Sequence, residues 1–461
     1  MWDNKVKRII LIGLLSIAGL ALLTYEYGTI MSYKNYYPFT RINNTDFSGK
    51  SVAYAEEKLY ENASDVVVEV IFRDNTYQIR GNDIDLKYSY KDDLERIKSG
   101  QKAYMWPKTF SAKPYDIRKR ITFNEAKLRA MLAGFDSMDK KKMKEPQNPT
   151  IELTDEGVVV AVDQDPGTVI ASEEKVYELI QKAIYNEEKE VDIEAAGVYS
   201  VSEFNSESPK VQKCVDFCNS IVGMDINYQL ADCTIPIEKS QIFEMIKITP
   251  TYETSVNKNR VRKLVERFAL AHNTYENVRE FKTHDHKRVM ITNSHYGWYV
   301  DVDTETEQLF QDIIHRNNVE REPALTSRGY FYNKKGDDIG GTYCEVDLAN
   351  QVMFFYKDYS QVLTSPVVTG NTGLGRGTPG GIYSIAYKQS PAVLKGDDYE
   401  TKVTYWMPFN GGIGFHDATW RGSFGGNIYT YNGSHGCVNM PYYNAQTLFF
   451  EVDAGIPVIV Y

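Results

Sequence analysis

The feature that most limits this chain is its beginning. Lys5, Lys7 and Arg8 precede an uncharged apolar run from Ile9 to Tyr25, which Glu26 closes. The run meets the lower length limit for a helix that crosses a bilayer, and its basic flank predicts a cytoplasmic N-terminus. A cleaved leader is the competing reading, because Gly19-Leu20-Ala21 offers a small-x-small site. Leu22 and Leu23 carry the apolar run past that site, so cleavage there would cut inside the hydrophobic stretch. The expectation is a tail at 1–8 and an uncleaved, single-pass anchor at 9–28. Both readings place the rest of the chain outside the membrane.

Beyond the anchor the chain has the composition of ordinary folded protein. Of 461 residues, 42% are hydrophobic and 25% charged, which excludes disordered, collagen-like and coiled-coil classes. The length predicts about three domains. Lys and Arg total 52 against 62 acids, a formal charge of -10 with no basic block, so no nucleic-acid partner is expected. There are five cysteines, so at least one thiol stays unpaired within the chain. Cys214 and Cys218 sit four apart in a helix-like segment, poor geometry for bridging each other, while Cys233 could pair with either. Buried apolar thiols at Cys214, Cys218 and Cys344 are the simpler reading.

Tyr33 to Thr40 reads as a linker. The turn residues of Ile42–Lys50 then lead into a helical pattern through Ala53, Ala55, Leu59 and Tyr60. Val66–Phe72 and Thr76–Ile79 flank Arg73-Asp74-Asn75 as a hairpin would. Further on there is a faint repeat. Phe123–Arg129 matches Val256–Arg262 in pattern, each opening an amphipathic helix. Each helix is followed by a strand pair, Thr150–Leu153 with Val158–Val162 and Val289–Thr292 with Trp298–Val302. Second helices come after them at Glu173–Ile184 and Glu305–His315. The reading is two α+β modules, 29–200 and 201–328. Pro323 and the polar run Asn333–Asp338 form a boundary, after which short β-rich runs are split by Gly, Pro, Asn and Asp. Residues 338–461 are expected to be a mainly-β sandwich or barrel with one helix near Ala445–Val452. The fold class is therefore multidomain: a transmembrane helix, two α+β modules and a C-terminal mainly-β domain.

Chemistry concentrates in that last domain, at Ser434-His435-Gly436-Cys437-Val438-Asn439-Met440-Pro441, with His416 upstream. A nucleophilic Cys needs an imidazole to take its proton and backbone N–H groups to hold an oxyanion. Gly436 permits unusual dihedrals beside the thiol. With only 7 His in the chain, two of them this close to one Gly-Cys turn argue for a site rather than a chance buried thiol.

The string resembles the signature of the L,D-transpeptidase (YkuD-type) family: a His, a gap, then Ser/Thr-His-Gly-Cys. His416-Asp417-Ala418-Thr419-Trp420 is similar to the His-x-x-x-Trp form of some members. Thr369-Gly370-Asn371 and Thr378-Pro379-Gly380-Gly381 resemble the family's loop and second-strand start. The match spans Gly341 to Tyr461, with one departure: Asn439 stands where many members have Arg, which puts the contact of that Arg in question. The anterior modules resemble, more loosely, the peptidoglycan-binding repeats that often precede this domain, Asn43–Lys50 being similar to their opening motif.

The resemblance implies Cys437 as nucleophile, His416 as general base, and the Asp417 carbonyl orienting the His416 ring, with the Asp417 side chain merely tolerated. His435 and Gly436 would shape the oxyanion site, with the Cys437 N–H as donor, and Ser434 would fix the turn. Asn439, Trp420 and Tyr405 are the candidate pocket residues; Trp420 reads equally as wall or core, and Tyr405 better as core. The implied reaction is transfer from a tetrapeptide stem that loses D-Ala, through a Cys thioester, to a neighbouring stem as a 3→3 cross-link. Donor and acceptor peptidoglycan stems are the implied partners, with carbapenems or penems as covalent inhibitors and no cofactor or metal. The implied location is the cell membrane, catalytic domain facing the wall. Water as acceptor would make the same site an L,D-carboxypeptidase. Other readings are a wall cysteine peptidase or a sortase, whose Thr-Leu-x-Thr-Cys strand and downstream Arg are missing around Cys437, and a non-catalytic wall tether. Two weaker motifs read as loops. His284-Asp285-His286, among Lys282, Lys287 and Arg288, is a solvated turn rather than a metal pair. Gly373–Gly377 precedes a strand, not a helix, so it is no phosphate loop.

Overall fold

A computed structural model describes residues 2–60, 65–396 and 400–461. The chain forms two compact units. One runs to Pro149 and resumes over Asp163–Asn205; the other comprises Thr150–Val162 and Ser206–Tyr461.

The first unit begins with a helix at Trp2–Lys34. Its stretch Asn4–Lys34, with a mean hydropathy of 2.1 in its most apolar window, is long and apolar enough to cross a membrane. Arg41–Ile42 then pairs with Thr45–Asp46 around Asn43 and Asn44, both left-handed, the conformation Asn tolerates best after Gly. Ser51 caps the helix Val52–Leu59. Behind these lies a small core of Tyr36, Ile42, Phe47, Ala55, Tyr90, Leu94 and Ile97.

The rest of this unit is a three-stranded sheet with helices. Val67–Ile71 is its centre, antiparallel to Thr76–Arg80 and parallel to Glu190–Asp192. Alternation puts Val68, Val70 and Ile79 in a core shared with Leu128, Val176 and Ile180 of two helices. Those helices are Glu125–Ala133, capped by Asn124, and Glu173–Asn186, capped by Ser172 and ended by left-handed Glu187.

The second unit repeats the plan. Ile226–Leu230 lies between antiparallel Cys233–Pro236 and parallel Val319–Arg321. Asn257 caps Lys258–His272, Asp301 caps Val302–His315, and left-handed Arg316 ends the latter. The helices and their caps recur in both places, but one strand pairing differs from the sequence reading. Val289–Thr292 does not pair with Trp298–Val302. Arg288–Ile291 folds back on Arg279–Lys282 instead, and Tyr299–Val300 pairs with Leu325–Ser327. The reason is a competing edge: Asn293 and His295 bond both backbone groups of Ile382 in the C-terminal domain, drawing the chain away between the two strands. The hairpin Thr150–Leu153 with Val159–Val162 forms as expected and lies in this second unit, where the Asn219 amide bonds both the N–H and C=O of Val159 at 2.8 Å. All five thiols are free, with Cys214, Cys218 and Cys344 buried.

The C-terminal domain is a sandwich of two sheets. Its strands are β1 (Tyr343–Asp347), β2 (Val352–Lys357), β3 (Ser360–Pro366), β4 (Gly381–Ser384), β5 (Ala392–Lys395), β6 (Glu400–Val403), β7 (Trp406–Asn410), β8 (Ile413–Asp417), β9 (Val438–Met440) and β10 (Pro457–Val460). One sheet has the order β3-β2-β1-β10-β4, the other β7-β8-β9, and β5-β6 is a separate hairpin. Val346 and Phe355 from the first sheet, Met407, Phe415 and Val438 from the second, and Leu448 from the helix Tyr442–Glu451 share one core. At about 1.5–3 kcal/mol per large buried side chain, this core fixes where the β8–β9 pair sits. The helix expected near Ala445–Val452 is present, starting a few residues earlier.

Candidate active site

Strand periodicity builds the site. β8 and β9 are parallel, with Phe415 opposite Val438 and His416 opposite Asn439. Phe415, Val438 and Met440 point into the shared core. Side chains alternate along strands, so His416, Cys437 and Asn439 occupy the other face together. There Ala392 and Val403 of the β5-β6 hairpin and Trp406 of β7 cluster with Cys437. Gly414 precedes His416 on the same face. A Cβ there would come within 2.5 Å of the Met407 carbonyl oxygen, so only glycine lets β8 lie against β7.

Each reactive group has its own restraint. His416 is 4% exposed, and its Nδ1 donates to the Asp417 carbonyl oxygen at 2.9 Å. That bond leaves Nε2 as the unprotonated nitrogen. With the Asn439 amide oriented to satisfy its neighbours, its NH2 donates to Nε2 at 3.0 Å, and its oxygen accepts from Arg421 Nε at 2.8 Å and Nη2 at 3.2 Å. Burial pushes the His416 pKa down, partly opposed by the Asp417 carbonyl. The Cys437 thiol donates to the Gly412 carbonyl oxygen at 3.5 Å. Burial raises its pKa to about 11, with the Gly414 N–H pulling the other way. Both shifts favour the uncharged forms, a thiol and a neutral imidazole.

The turn before Cys437 is braced from several directions. Ser434 Oγ donates to the Cys437 carbonyl at 2.6 Å and accepts from the Gly436 N–H at 3.0 Å. Gly436 has φ +124°, and a Cβ there would press on Ile413 at 3.0–3.1 Å. Thr378 Oγ1 donates to the Gly436 carbonyl at 2.7 Å and accepts from the Gly370 N–H. Backbone bonds join Ser434 to Thr369 and Asn371. The segments Thr369–Asn371 and Thr378–Gly381 thus support the Ser434–Cys437 turn.

A cleft of about 240 Å³ opens over these groups, lined by Leu394, Thr401, His416, Trp420, Arg421, Gly433, Ser434, His435, Cys437 and Asn439. Trp420 is half exposed and its ring stacks over His416 at 5.9 Å, making it a wall of the cleft. His435 is exposed on the rim. Tyr405 is not a pocket residue. It lies in the shared core, against Tyr442 and Phe449, and its hydroxyl accepts from Gln446. The Asp417 side chain is more than tolerated: its buried Oδ1 accepts from the N–H groups of Thr404 and Tyr405 at 2.7 and 2.8 Å, tying β8 to the start of β7. Arg421 is a cleft residue that the sequence reading misses. The signal that could have found it is its position directly after the His-x-x-x-Trp string.

The turn at 283–287 also differs from its reading. Asp285 and His286 are exposed, but His284 turns inward, stacks on Phe354 and bonds Glu345 through both its N–H and Nδ1. Among the described residues, no group of three or more His, Cys, Asp and Glu could hold a metal ion.

A family model described as YkuD, L,D-transpeptidase catalytic domain, matches residues 341–460. Among solved structures, a Cys-to-Ser mutant of Enterococcus faecium L,D-transpeptidase is 30% identical, over 54% of this chain and 100% of its own, with a TM-score of 0.45. The catalytic domain of an E. faecium L,D-transpeptidase acylated by ertapenem is 40% identical, over 27% and 100%, with a TM-score of 0.26. An L,D-transpeptidase from Mycobacterium smegmatis is 22% identical, over 26% and 58%, with a TM-score of 0.23. No curated protein matches the chain. Residues 341–460 are an L,D-transpeptidase catalytic domain, and through it the chain belongs to that family.

Proposed function

We propose that this protein is a membrane-anchored peptidoglycan L,D-transpeptidase that forms 3→3 cross-links through a thioester on Cys437. The observation that carries the reading is the shared face of β8 and β9, where an imidazole with an unprotonated Nε2 and a thiol line one cleft. The Cys437 sulfur attacks the carbonyl of the L-configured centre before a terminal D-Ala. As the S–C bond forms, the thiol proton passes to His416 Nε2, so the buried pair need not ionise beforehand. The oxyanion is held at the Gly436–Cys437 backbone, beside His435, with the Cys437 N–H as donor. The C–N bond then breaks, and D-Ala leaves with the proton from His416. An amine of a neighbouring stem attacks the thioester, returns a proton through His416 and frees the thiol. Such proton transfer contributes on the order of 10²–10⁴ in rate, and a single oxyanion donor about 2.7–4 kcal/mol.

The first helix serves as the anchor, N-terminus in the cytoplasm. Its apolar run ends beside an aromatic group suited to a membrane interface. Trp106 Nε1 donates to the Tyr25 carbonyl, the Tyr25 hydroxyl donates to the Tyr104 carbonyl, and Phe110 packs on Phe39 with both largely exposed. The two α+β modules would hold the wall polymer while the catalytic domain works on its stems.

The test is acylation and product analysis. A β-lactam of the kind that acylates the E. faecium domain should give a single adduct on Cys437, found by intact-mass measurement of the ectodomain, and none on Cys437→Ala. Disaccharide-tetrapeptide should give 3→3 dimers and free D-Ala. D-Ala release without dimers would make the enzyme an L,D-carboxypeptidase, and an adduct that survives Cys437→Ala would refute the nucleophile.

A further inference from the structure

We infer that Arg421 forms a carboxylate-binding subsite in the catalytic cleft, recognising the terminal carboxylate of the donor peptide. Identifying that carboxylate with the donor stem rests on the transpeptidase reading; the anion site itself does not.

Arg421 is the one Lys or Arg among the described residues lining the cleft, and none of them is Asp or Glu. Its side chain is half buried, and its hydrogen-bond partners among the described residues are neutral. Nε and Nη2 donate to the Asn439 amide oxygen, and Nη1 donates to the Asn432 carbonyl oxygen at 2.8 Å. A guanidinium has five N–H donors, so two remain for a ligand. Burial lowers its pKa, as expected of a cation that has no carboxylate partner among the described residues. Elsewhere in the second unit, partly buried arginines are paired: Arg279 with Asp338, and Arg321 with Glu305 and Asp312. Removing a guanidinium from water without a counter-ion is costly, and a carboxylate entering the cleft would offset that cost.

Geometry gives the anion its place. Arg421 touches Asn439, which touches His416 Nε2, so the guanidinium lies one amide away from the nitrogen that receives the thiol proton. In a donor ending in D-Ala, the free carboxylate is one residue from the bond that breaks. Binding it at Arg421 would seat that bond beside Cys437 and His416. A stem extended by a further residue would carry its carboxylate past this point, so the subsite also selects the length of the donor.

Paired probes test this. Iodoacetate and iodoacetamide alkylate a thiol by the same displacement of iodide, but only iodoacetate carries a carboxylate. Site-resolved mass spectrometry gives the iodoacetate-to-iodoacetamide rate ratio at Cys437, and a ratio cancels any general effect of a substitution on thiol reactivity. The ratio should fall about tenfold in Arg421→Gln and substantially less in Arg421→Lys, which keeps charge but not the planar fork. A ratio equal in wild type and Arg421→Gln overturns the subsite. The second pair is a tetrapeptide stem ending in D-Ala or in D-Ala amide, where the wild type should prefer the free acid and Arg421→Gln should lose that preference. If the alkylation ratio falls but neither peptide acylates the wild type, the anion site stands and the transpeptidase reading falls. If both peptides react equally in the wild type, the assignment to the donor carboxylate is refuted.

Discussion

Cys344 and Cys437 lie in the same domain, both buried, and burial raises both thiol pKa values. Their surroundings differ completely. Cys344 sits on β1 with its side chain in the shared core, and desolvation is the one influence on it. Cys437 immediately precedes β9 in the other sheet, on the face turned away from the shared core, where the Gly414 N–H supports its sulfur and the cleft reaches it. Burial alone therefore does not mark a candidate nucleophile; what separates the two thiols is whether the side chain faces the core or the cleft, and the groups aligned beside it. Removing each sulfur in turn should give the sharpest contrast. Cys437→Ala should abolish β-lactam acylation, whereas Cys344→Ala should acylate normally and lose about 1–2 kcal/mol in urea unfolding, the cost of a small buried group. Acylation that survives the first change or vanishes with the second would reverse the comparison.

The imidazole gives the next effect. His416→Gln keeps a polar side chain but no base, and should lower the acylation rate on the order of 10²–10⁴. The pH dependence distinguishes a neutral pair from an ion pair. Because the His416 pKa is lowered, the base form appears as pH rises through a value below the ordinary 6.5. Burial raises the thiol pKa to about 11, so the thiol should stay protonated through neutrality. The acylation rate should climb below pH 6.5 and then hold a plateau through neutrality. The absorbance difference at about 240 nm between wild type and Cys437→Ala should show no thiolate near neutral pH. A thiolate signal there would mean an imidazolium–thiolate pair, and Cys437 would differ from Cys344 in charge as well as in position.

The chemistry is more legible in the sequence than its supports. Cys437, His416 and the Ser434–Gly436 turn stand in one local string plus one upstream residue, because a tight turn and a strand end demand particular residues in order. The Asn124 and Asn257 caps are legible for the same reason: a cap is set by its neighbours. Contacts between residues distant in sequence are hidden. Nothing local in Val289–Thr292 indicates that Asn293 and His295 will bond Ile382, which redirects the chain beyond them. Nothing local gives His284 its partner in Glu345. The Asp417 carboxylate is hard to read because the same residue's carbonyl already has a role, and its partners are fixed only once β7 and β8 are paired.

Asp417 and Tyr405 provide the smallest and most discriminating effects. Asp417→Asn keeps an acceptor for the Thr404 and Tyr405 N–H groups but removes the charge, so it should cost roughly 1–2 kcal/mol of stability. Acylation should weaken only as far as β8 shifts, because the carbonyl that orients His416 is retained. Tyr405→Phe removes one hydroxyl bond to Gln446 and should cost about 0.5–1.5 kcal/mol. Its acylation rate should match wild type, since the ring stays in the core and never meets the cleft. Denaturant unfolding and acylation kinetics measured on the same two variants separate these effects. If Tyr405→Phe slowed acylation without losing stability, the phenol would be reaching substrate through a rearranged cleft. The division between core face and reactive face that distinguishes Cys344 from Cys437 would then fail at β7.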